Sequence, residues 1–279
     1  MHRFSQVDVF SNESLRGNPV AVAHDADDLD AEQMQRFTRW TNLSEATFLG
    51  APTDPAADYA VRIFFPGGEL PFAGHPTLGS CHAWLEAGGQ PHQPGFVVQQ
   101  CPAGLVTIRT DGERLAFAAP PLVRSGPVSE RELERIARVL GIGRAAIVAS
   151  QWVDNGPGWV AVMLDSAQAV MALAPVGDGE SVDIGVVGPY ADGGETAYEV
   201  RAFFSAADGR LIEDPVTGSL NASLAQWLVG SGRYAAPYVA SQGLALGRHG
   251  RVYISQGSDG TIWVGGATHT VVSGRVDLA

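Results

Sequence analysis

Residues 59–85 read YAVRIFFPGGELPFAGHPTLGSCHAWL, and residues 198–224 read YEVRAFFSAADGRLIEDPVTGSLNASL. Laid over each other without a gap, at a shift of 139, ten of the 27 positions are identical: Tyr59/Tyr198, Val61/Val200, Arg62/Arg201, Phe64/Phe203, Phe65/Phe204, Pro76/Pro215, Gly79/Gly218, Ser80/Ser219, Ala83/Ala222 and Leu85/Leu224. Ordinary composition supplies about two such matches. A shift of 140 also pairs Val20-Ala21-Val22 with Val160-Ala161-Val162, and Asp25 with Asp165, each set following an Asn/Gly/Pro turn. Self-similarity at half the chain length reads as duplication. Two homologous halves are therefore expected to face each other across a cleft, with equivalent positions on each wall.

Working outward, β-branched and aromatic runs bounded by Gly and Pro mark strands at 4–10, 59–65, 96–99, 105–109, 147–153, 159–164, 182–187, 198–204, 251–255, 261–264 and 270–276. Helical spacing is clearest at 130–140, where Leu133, Ile136, Ala137 and Leu140 share one face. Further helices are expected at 31–40, 77–86 and 217–229. The fold class is α+β, with two pseudo-symmetric lobes, each a curved and mostly antiparallel sheet around a central helix. Residues 1–124 form the first lobe, with a closing strand at 267–279 returning to it, and 125–266 form the second. The crossing falls at Arg124-Ser125-Gly126-Pro127.

The 279 residues carry 30 acidic and 18 basic side chains, for a net charge of −12. No basic footprint exists for a nucleic acid. All 18 basic residues are Arg and none is Lys. That removes a pyridoxal-phosphate aldimine, a Walker P-loop and a kinase lysine. Two cysteines, Cys81 and Cys101, fit a reducing compartment. With no apolar run of signal-peptide or membrane-spanning length, the expected location is the cytoplasm, without membrane partners.

Both repeats run strand, loop, polar residue, proline, helix. His75 precedes Pro76, and Asp214 precedes Pro215. Proline suits the first helical turn and Asp before it suits the N-cap. Each motif thus aims a helix N-terminus, with its free amides and dipole, at an anion such as a carboxylate. Gly74, Gly79 and Gly218 would let a ligand approach the backbone. Asp214 alone reads as a cap, but His75 at the matching position raises a functional reading for both. Glu45, in Asn42-Leu43-Ser44-Glu45, reads by residue chemistry as a solvated edge residue. Arg62 and Arg201 read as structural pairs within their lobes, and Trp152 and Trp159 as core or pocket lining.

Competing signals lack their context. Gly141-Ile142-Gly143-Arg144-Ala145-Ala146 matches a dinucleotide fingerprint but follows a helix, so it reads as a helix stop. No G-x-S-x-G supports a hydrolase around Ser219. His75, Cys81 and His82 have no zinc spacing, and no metal site is expected.

Four segments in order, Gly17-Asn18-Pro19-Val20-Ala21-Val22, Asn42-Leu43-Ser44-Glu45, Arg62-Ile63-Phe64 with 69–79 (ELPFAGHPTLG), and Glu213-Asp214-Pro215-Val216-Thr217-Gly218-Ser219, resemble the phenazine-biosynthesis PhzF-like family. The resemblance covers the chain from the first strand to its end. It implies a fold similar to diaminopimelate epimerase and a cofactor-independent isomerase that moves a proton between carbons of a small carboxylate substrate. By matching motifs, Glu45 would be the general acid/base, completed by His75 and Asp214. Asn18, Ser44, Gly74, Gly218 and Ser219 would bind substrate. A homodimer is implied as well. The related epimerases carry thiols at the two helix starts; Gly74-His75 and Asp214-Pro215 do not fit that mechanism. A cofactor-free racemase or epimerase, and a non-catalytic carboxylate-binding or scaffold protein, remain the alternatives.

Overall fold

The repeated run Y-x-V-R-x-F-F folds twice as a strand, because β-branched and aromatic side chains suit a pleated surface buried on both faces. The computed structural model describes residues 1–112, 114–191, 193–206 and 209–278. The chain divides into one unit of Met1–Ala118 with Gly265–Ala279 and a second of Ala119–Val264. Ala279, the end of the expected closing strand, lies outside the described residues.

The first unit holds β1 (His2–Val9), β2 (Asn18–Ala23), α1 (Ala31–Thr41), β3 (Ala46–Gly50), β4 (Tyr59–Phe65), β5 (Gly68–Leu70), α2 (Gly74–Glu86), β6 (Phe96–Cys101), β7 (Gly104–Asp111) and β8 (Arg114–Ala118). The second holds β9 (Arg124–Gly126), α3 (Glu130–Leu140), β10 (Ala149–Asp154), β11 (Val160–Met163), α4 (Ala167–Met171), β12 (Asp183–Pro189), β13 (Tyr198–Ser205), β14 (Leu211–Asp214), α5 (Gly218–Gly230), β15 (Tyr238–Gln242) and β16 (Gly250–Gln256). β17 (Ile262–Val276) begins in the second unit and ends in the first.

In the first unit β1 pairs antiparallel with β2, β2 parallel with β3, β3 antiparallel with β4, and β4 parallel with β6. β6, β7 and β8 follow antiparallel, β8 pairs with β17, and β17 returns antiparallel to β1. The pairings close on themselves, so the expected curved sheet is here a barrel without free edges. The reason is the length of β17. The two strands expected at 261–264 and 270–276 are one strand of 15 residues. Gly265 and Gly266 do not turn the chain; they make room for it. A Cβ at Gly266 would lie 2.4 Å from the Phe10 ring, and one at Gly265 3.0 Å from Ala116 and the Leu115 carbonyl.

Helix α2 contacts β1, β2, β3, β4, β6 and β8. A helix surrounded by strands has no polar face to show, and nine of its thirteen residues are buried. Small residues let it close in: a Cβ at Gly79 would lie 2.3 Å from Val20 Cγ1. Gly79 therefore serves packing, not the ligand approach expected of it. Amphipathic α1 lies outside, with Met34 and Phe37 among Phe48, Phe64, Ala21 and Ala46.

The second unit repeats the order of joints. β10/β11 is antiparallel, β11/β12 parallel, β12/β13 antiparallel, β13/β15 parallel and β15/β16 antiparallel. α5 is again thirteen residues with nine buried. α3 packs Leu133, Ile136 and Leu140 on Val160, Val162, Ile184 and Val186, and stops at Gly141 in a left-handed conformation, φ 70°.

The structure shifts the register of the repeat. Arg62 forms a two-pronged pair with Glu69 at 2.8 and 2.7 Å, and Arg201 does the same with Glu213 at 2.9 and 2.7 Å. The arginines are 139 residues apart, the glutamates 144. Strand register agrees, since Ile63 opposes Leu70 and Ala202 opposes Asp214. The second hairpin thus holds five extra residues. Beyond it the shared motif is E-x-P-x-x-G, at 69–74 and 213–218, and both helices begin on its glycine. His75 consequently corresponds to Ser219, and Asp214 to Leu70. The gapless overlay had matched His75 with Asp214 because an insertion inside a hairpin leaves no mark that an ungapped comparison registers.

Candidate active site

Three helices end at the N-terminus in a side-chain cap. Asp30 and Gln33 form a reciprocal capping box on α1, Ser129 accepts from Glu132 N–H on α3, and Ser166 accepts from Ala169 N–H on α4. α2 and α5 differ. Their N-cap residues, Ala73 and Thr217, give no side-chain cap, and neither first turn contains an acidic residue. The amides of both first turns are therefore capped neither by the N-cap side chain nor by an acid within the turn. Asp214 is not the cap of α5; it is the last residue of β14.

In the first unit His75 is the second residue of α2 and is 4% exposed. Its Nε2 lies 3.3 Å from Glu45 Oε2, whose side chain is only 16% exposed. The solvated reading of Glu45 is therefore corrected. The residue sits in the loop entering β3, beside half-buried Ser44, and the parallel β2/β3 joint carries it to the start of α2. His75 Nδ1 is 3.5 Å from Asn18 Nδ2. Asn18 is delivered by a tight turn in which buried Asp8 accepts the Arg16 and Gly17 amides, both at 3.0 Å. Burial pulls the His75 imidazole down to about 3, against a bond from the ring to the Pro19 carbonyl that acts the other way. The ring is neutral at pH 7, so its contact with Glu45 is not an ion pair. At 3.3 Å the neutral imidazole packs against the carboxyl and limits where it can turn.

In the second unit Gly218 is buried and Ser219 half-buried at the start of α5. Asp214 Oδ2 accepts from the Thr217 hydroxyl at 2.6 Å. Gln242, on β15 and fully buried, accepts from Thr217 N–H at 3.0 Å and Asn221 Nδ2 at 2.8 Å. It donates to the Asp214 carbonyl at 3.2 Å and Thr217 Oγ1 at 2.9 Å. The first unit has a counterpart in buried Gln99 on β6, which donates to Thr77 Oγ1 at 3.1 Å and accepts from Tyr59 OH at 2.9 Å. Trp159, read from sequence as core or pocket lining, donates its Nε1–H to Ser219 Oγ at 3.0 Å, and Asn155 Nδ2 donates to the Ser219 carbonyl at 2.9 Å.

The structure thus gathers Asn18, Ser44, Glu45, Gly74 and His75 in the first unit, and Asp214, Gly218 and Ser219 in the second. Sequence reading missed both glutamines and the role of Trp159. Glutamine does not titrate and forms no spaced motif; the available signal was glutamine on each parallel strand beside the repeat, Gln99 and Gln100 on β6 and Gln242 on β15. Cys81 lies within α2, where burial pushes its thiol well above the usual range. Among the described residues no group of three or more His, Cys, Asp or Glu is placed to hold a metal ion, and no helix is long and apolar enough to cross a membrane.

The chain is mixed α/β, with a repeated sheet-and-helix unit and a carboxyl–imidazole contact at one helix start. Residues 7–274 match the family described as "Phenazine biosynthesis-like protein". The chain belongs to this family and is an isomerase. It is 35% identical over 98% of its length to "Antisense-enhancing sequence 1" of Schizosaccharomyces pombe, covering 98% of that protein. It is 35% identical to "Trans-2,3-dihydro-3-hydroxyanthranilate isomerase" of Pseudomonas aeruginosa, over 91% of this chain and 90% of that one. The crystal structure of a Bacillus anthracis phenazine biosynthesis protein of the PhzF family superposes with a TM-score of 0.81, covering 99% of this chain and 98% of that one at 22% identity. That likeness shows the fold.

Proposed function

We propose that the protein moves a proton between carbons of a small, cyclic or unsaturated amino- or hydroxy-carboxylic acid, without a cofactor, in specialised metabolism of the phenazine type. The observation that carries this reading is the contact of Glu45 with a neutral, buried His75 at the uncapped start of α2. Helix amides and dipole at Gly74, and separately at Gly218, suit a substrate carboxylate. Glu45 takes a proton from carbon and returns it to another carbon on the same face, while His75 orients the carboxyl. Asn18 and Ser44 border the pocket. Ser219 donates to the substrate, and Asp214 completes the catalytic set. A positioned acid/base contributes about 10²–10⁴-fold in rate, so the substrate must itself spread carbanion charge through a conjugated system.

The test is Glu45→Gln incubated with trans-2,3-dihydro-3-hydroxyanthranilate in deuterated water. Loss of deuterium uptake by at least about 10²-fold, with retained fold and anthranilate binding, is the expected result. Undiminished uptake overturns the role of Glu45. A wild-type protein that binds such acids with neither exchange nor a change in ultraviolet spectrum would instead be a non-catalytic carboxylate binder.

A further inference from the structure

We infer that Trp159 is a positioning residue that fixes the Ser219 hydroxyl as a hydrogen-bond donor toward a substrate carboxylate. A serine hydroxyl offers one proton and two lone pairs, whereas an indole Nε1–H can only donate. In the 3.0 Å contact between Trp159 Nε1 and Ser219 Oγ, serine must therefore be the acceptor. Its own proton is left over, and it meets no acceptor among the described residues.

The usual fate of a helical serine is different. Its hydroxyl turns back onto a carbonyl three or four residues earlier, as Ser223 does in the same helix by donating to the Leu220 carbonyl at 3.1 Å. Ser219 is spared that bond because it is the second residue of α5, and the residues three and four before it lie outside the helix. Trp159 is itself 4% exposed and locked at the backbone, where its carbonyl accepts from Val153 N–H at 3.0 Å. Asn155, from the same turn, grips the Ser219 carbonyl at 2.9 Å, and Asp154 closes that turn by accepting the Gly156 and Gly158 amides at 2.7 and 2.8 Å. Ser219 remains half-buried, so its remaining proton is available to a ligand that reaches the residue. At an uncapped helix start the ligand group that such a proton suits is an anion.

The inference rests on the carboxylate site proposed above. It is tested by a double-mutant cycle of Trp159→Phe and Ser219→Ala, reading anthranilate affinity by calorimetry and KM and kcat for trans-2,3-dihydro-3-hydroxyanthranilate. Trp159→Phe keeps the ring and removes the donor. It should weaken anthranilate about 3- to 10-fold and raise KM similarly with kcat within about twofold, and it should add nothing in the Ser219→Ala background. If Trp159→Phe does not fold, the indole N–H resonance of the wild type and of Ser219→Ala decides. It should shift and exchange faster with water in the alanine variant, and shift when anthranilate binds the wild type. Full additivity, unchanged affinity in Trp159→Phe, or an indole signal indifferent to both overturns this assignment alone if the wild type still exchanges deuterium. A wild type that neither binds anthranilate nor exchanges overturns the proposed function and this inference with it.

Discussion

The starts of α2 and α5 are the same structure carrying different chemistry. Each follows E-x-P-x-x-G, each lacks a side-chain cap, and each is tied through its first turn to a buried glutamine on a parallel strand. At the second helical position one has His75 and the other Ser219. Strand register extends the comparison. Ala46 opposes Phe64 and Ile184 opposes Phe203, so Glu45 corresponds to Asp183. Ile184 and Val186 face α3, and a Cβ at Gly185 would meet Leu220 of α5; Asp183 therefore shares the α5-facing side of its strand. The first unit couples its carboxylate to a titratable ring, and the second places a hydroxyl where that ring would be. Divergence at one position put an imidazole at one helix start and a hydroxyl at the other.

The comparison breaks most visibly at His75. His75→Gln should lower deuterium exchange on the order of 10²-fold. It should also alter the pH dependence of stability. Because burial lowers the folded pKa to about 3, the unfolded chain takes up a proton between about pH 6.5 and 3 that the folded chain refuses. Stability is thus full above 6.5 and lost as pH falls through that window. Urea unfolding at pH 7.5 and 5 should show a shallower loss for His75→Gln, while Ser219→Ala keeps the wild-type slope. An equal slope in His75→Gln would remove titration from the difference between the two helix starts.

A smaller effect separates the two glutamines. At roughly 1 kcal/mol per net hydrogen bond, Gln242→Met, losing four bonds, should destabilise by about 2 kcal/mol more than Gln99→Met, losing two. Urea midpoints measure this, and equal losses would mean the clamps are not graded.

The smallest concerns Asp183, whose carboxyl is pushed up to about 6 by burial and then by the neighbouring Asp154. A raised carboxylate pKa stabilises the fold below the unfolded value near 3.8, and that contribution is lost as pH rises through about 6. Asp183→Asn should therefore gain about 1–2 kcal/mol at pH 7 and nothing at pH 3.5, seen as a higher Tm only at neutral pH. An unchanged Tm at pH 7 would show Asp183 as solvated as an ordinary surface acid.

Much of the fold was legible because its signals are local. The run at 59–65, the amphipathic 130–140 segment and the stop at Gly141 each express a periodicity or a backbone demand that neighbouring residues reveal, and all three form. The α2 and α5 starts were placed three residues late and one early, since a helix buried on all sides offers no stripe and a missing cap offers no marker. β17 was read as two strands, 261–264 and 270–276, because glycines kept for close approach interrupt the β-branched run. At the site, residue types without context named His75 and Asp214 but set Glu45 aside as solvated; only the resemblance restored it.

From its residues alone, the chain determined its duplication, its strand-rich α+β character and the two structurally paired arginines, since each is carried by runs of residues adjacent along the backbone. Tertiary structure decided the rest: the five-residue offset that pairs His75 with Ser219, the closure of the first unit's strands, and the burial that keeps His75 neutral against Glu45. These depend on which strands neighbour each other and how much water is excluded between them, and such distances are set by packing across the fold.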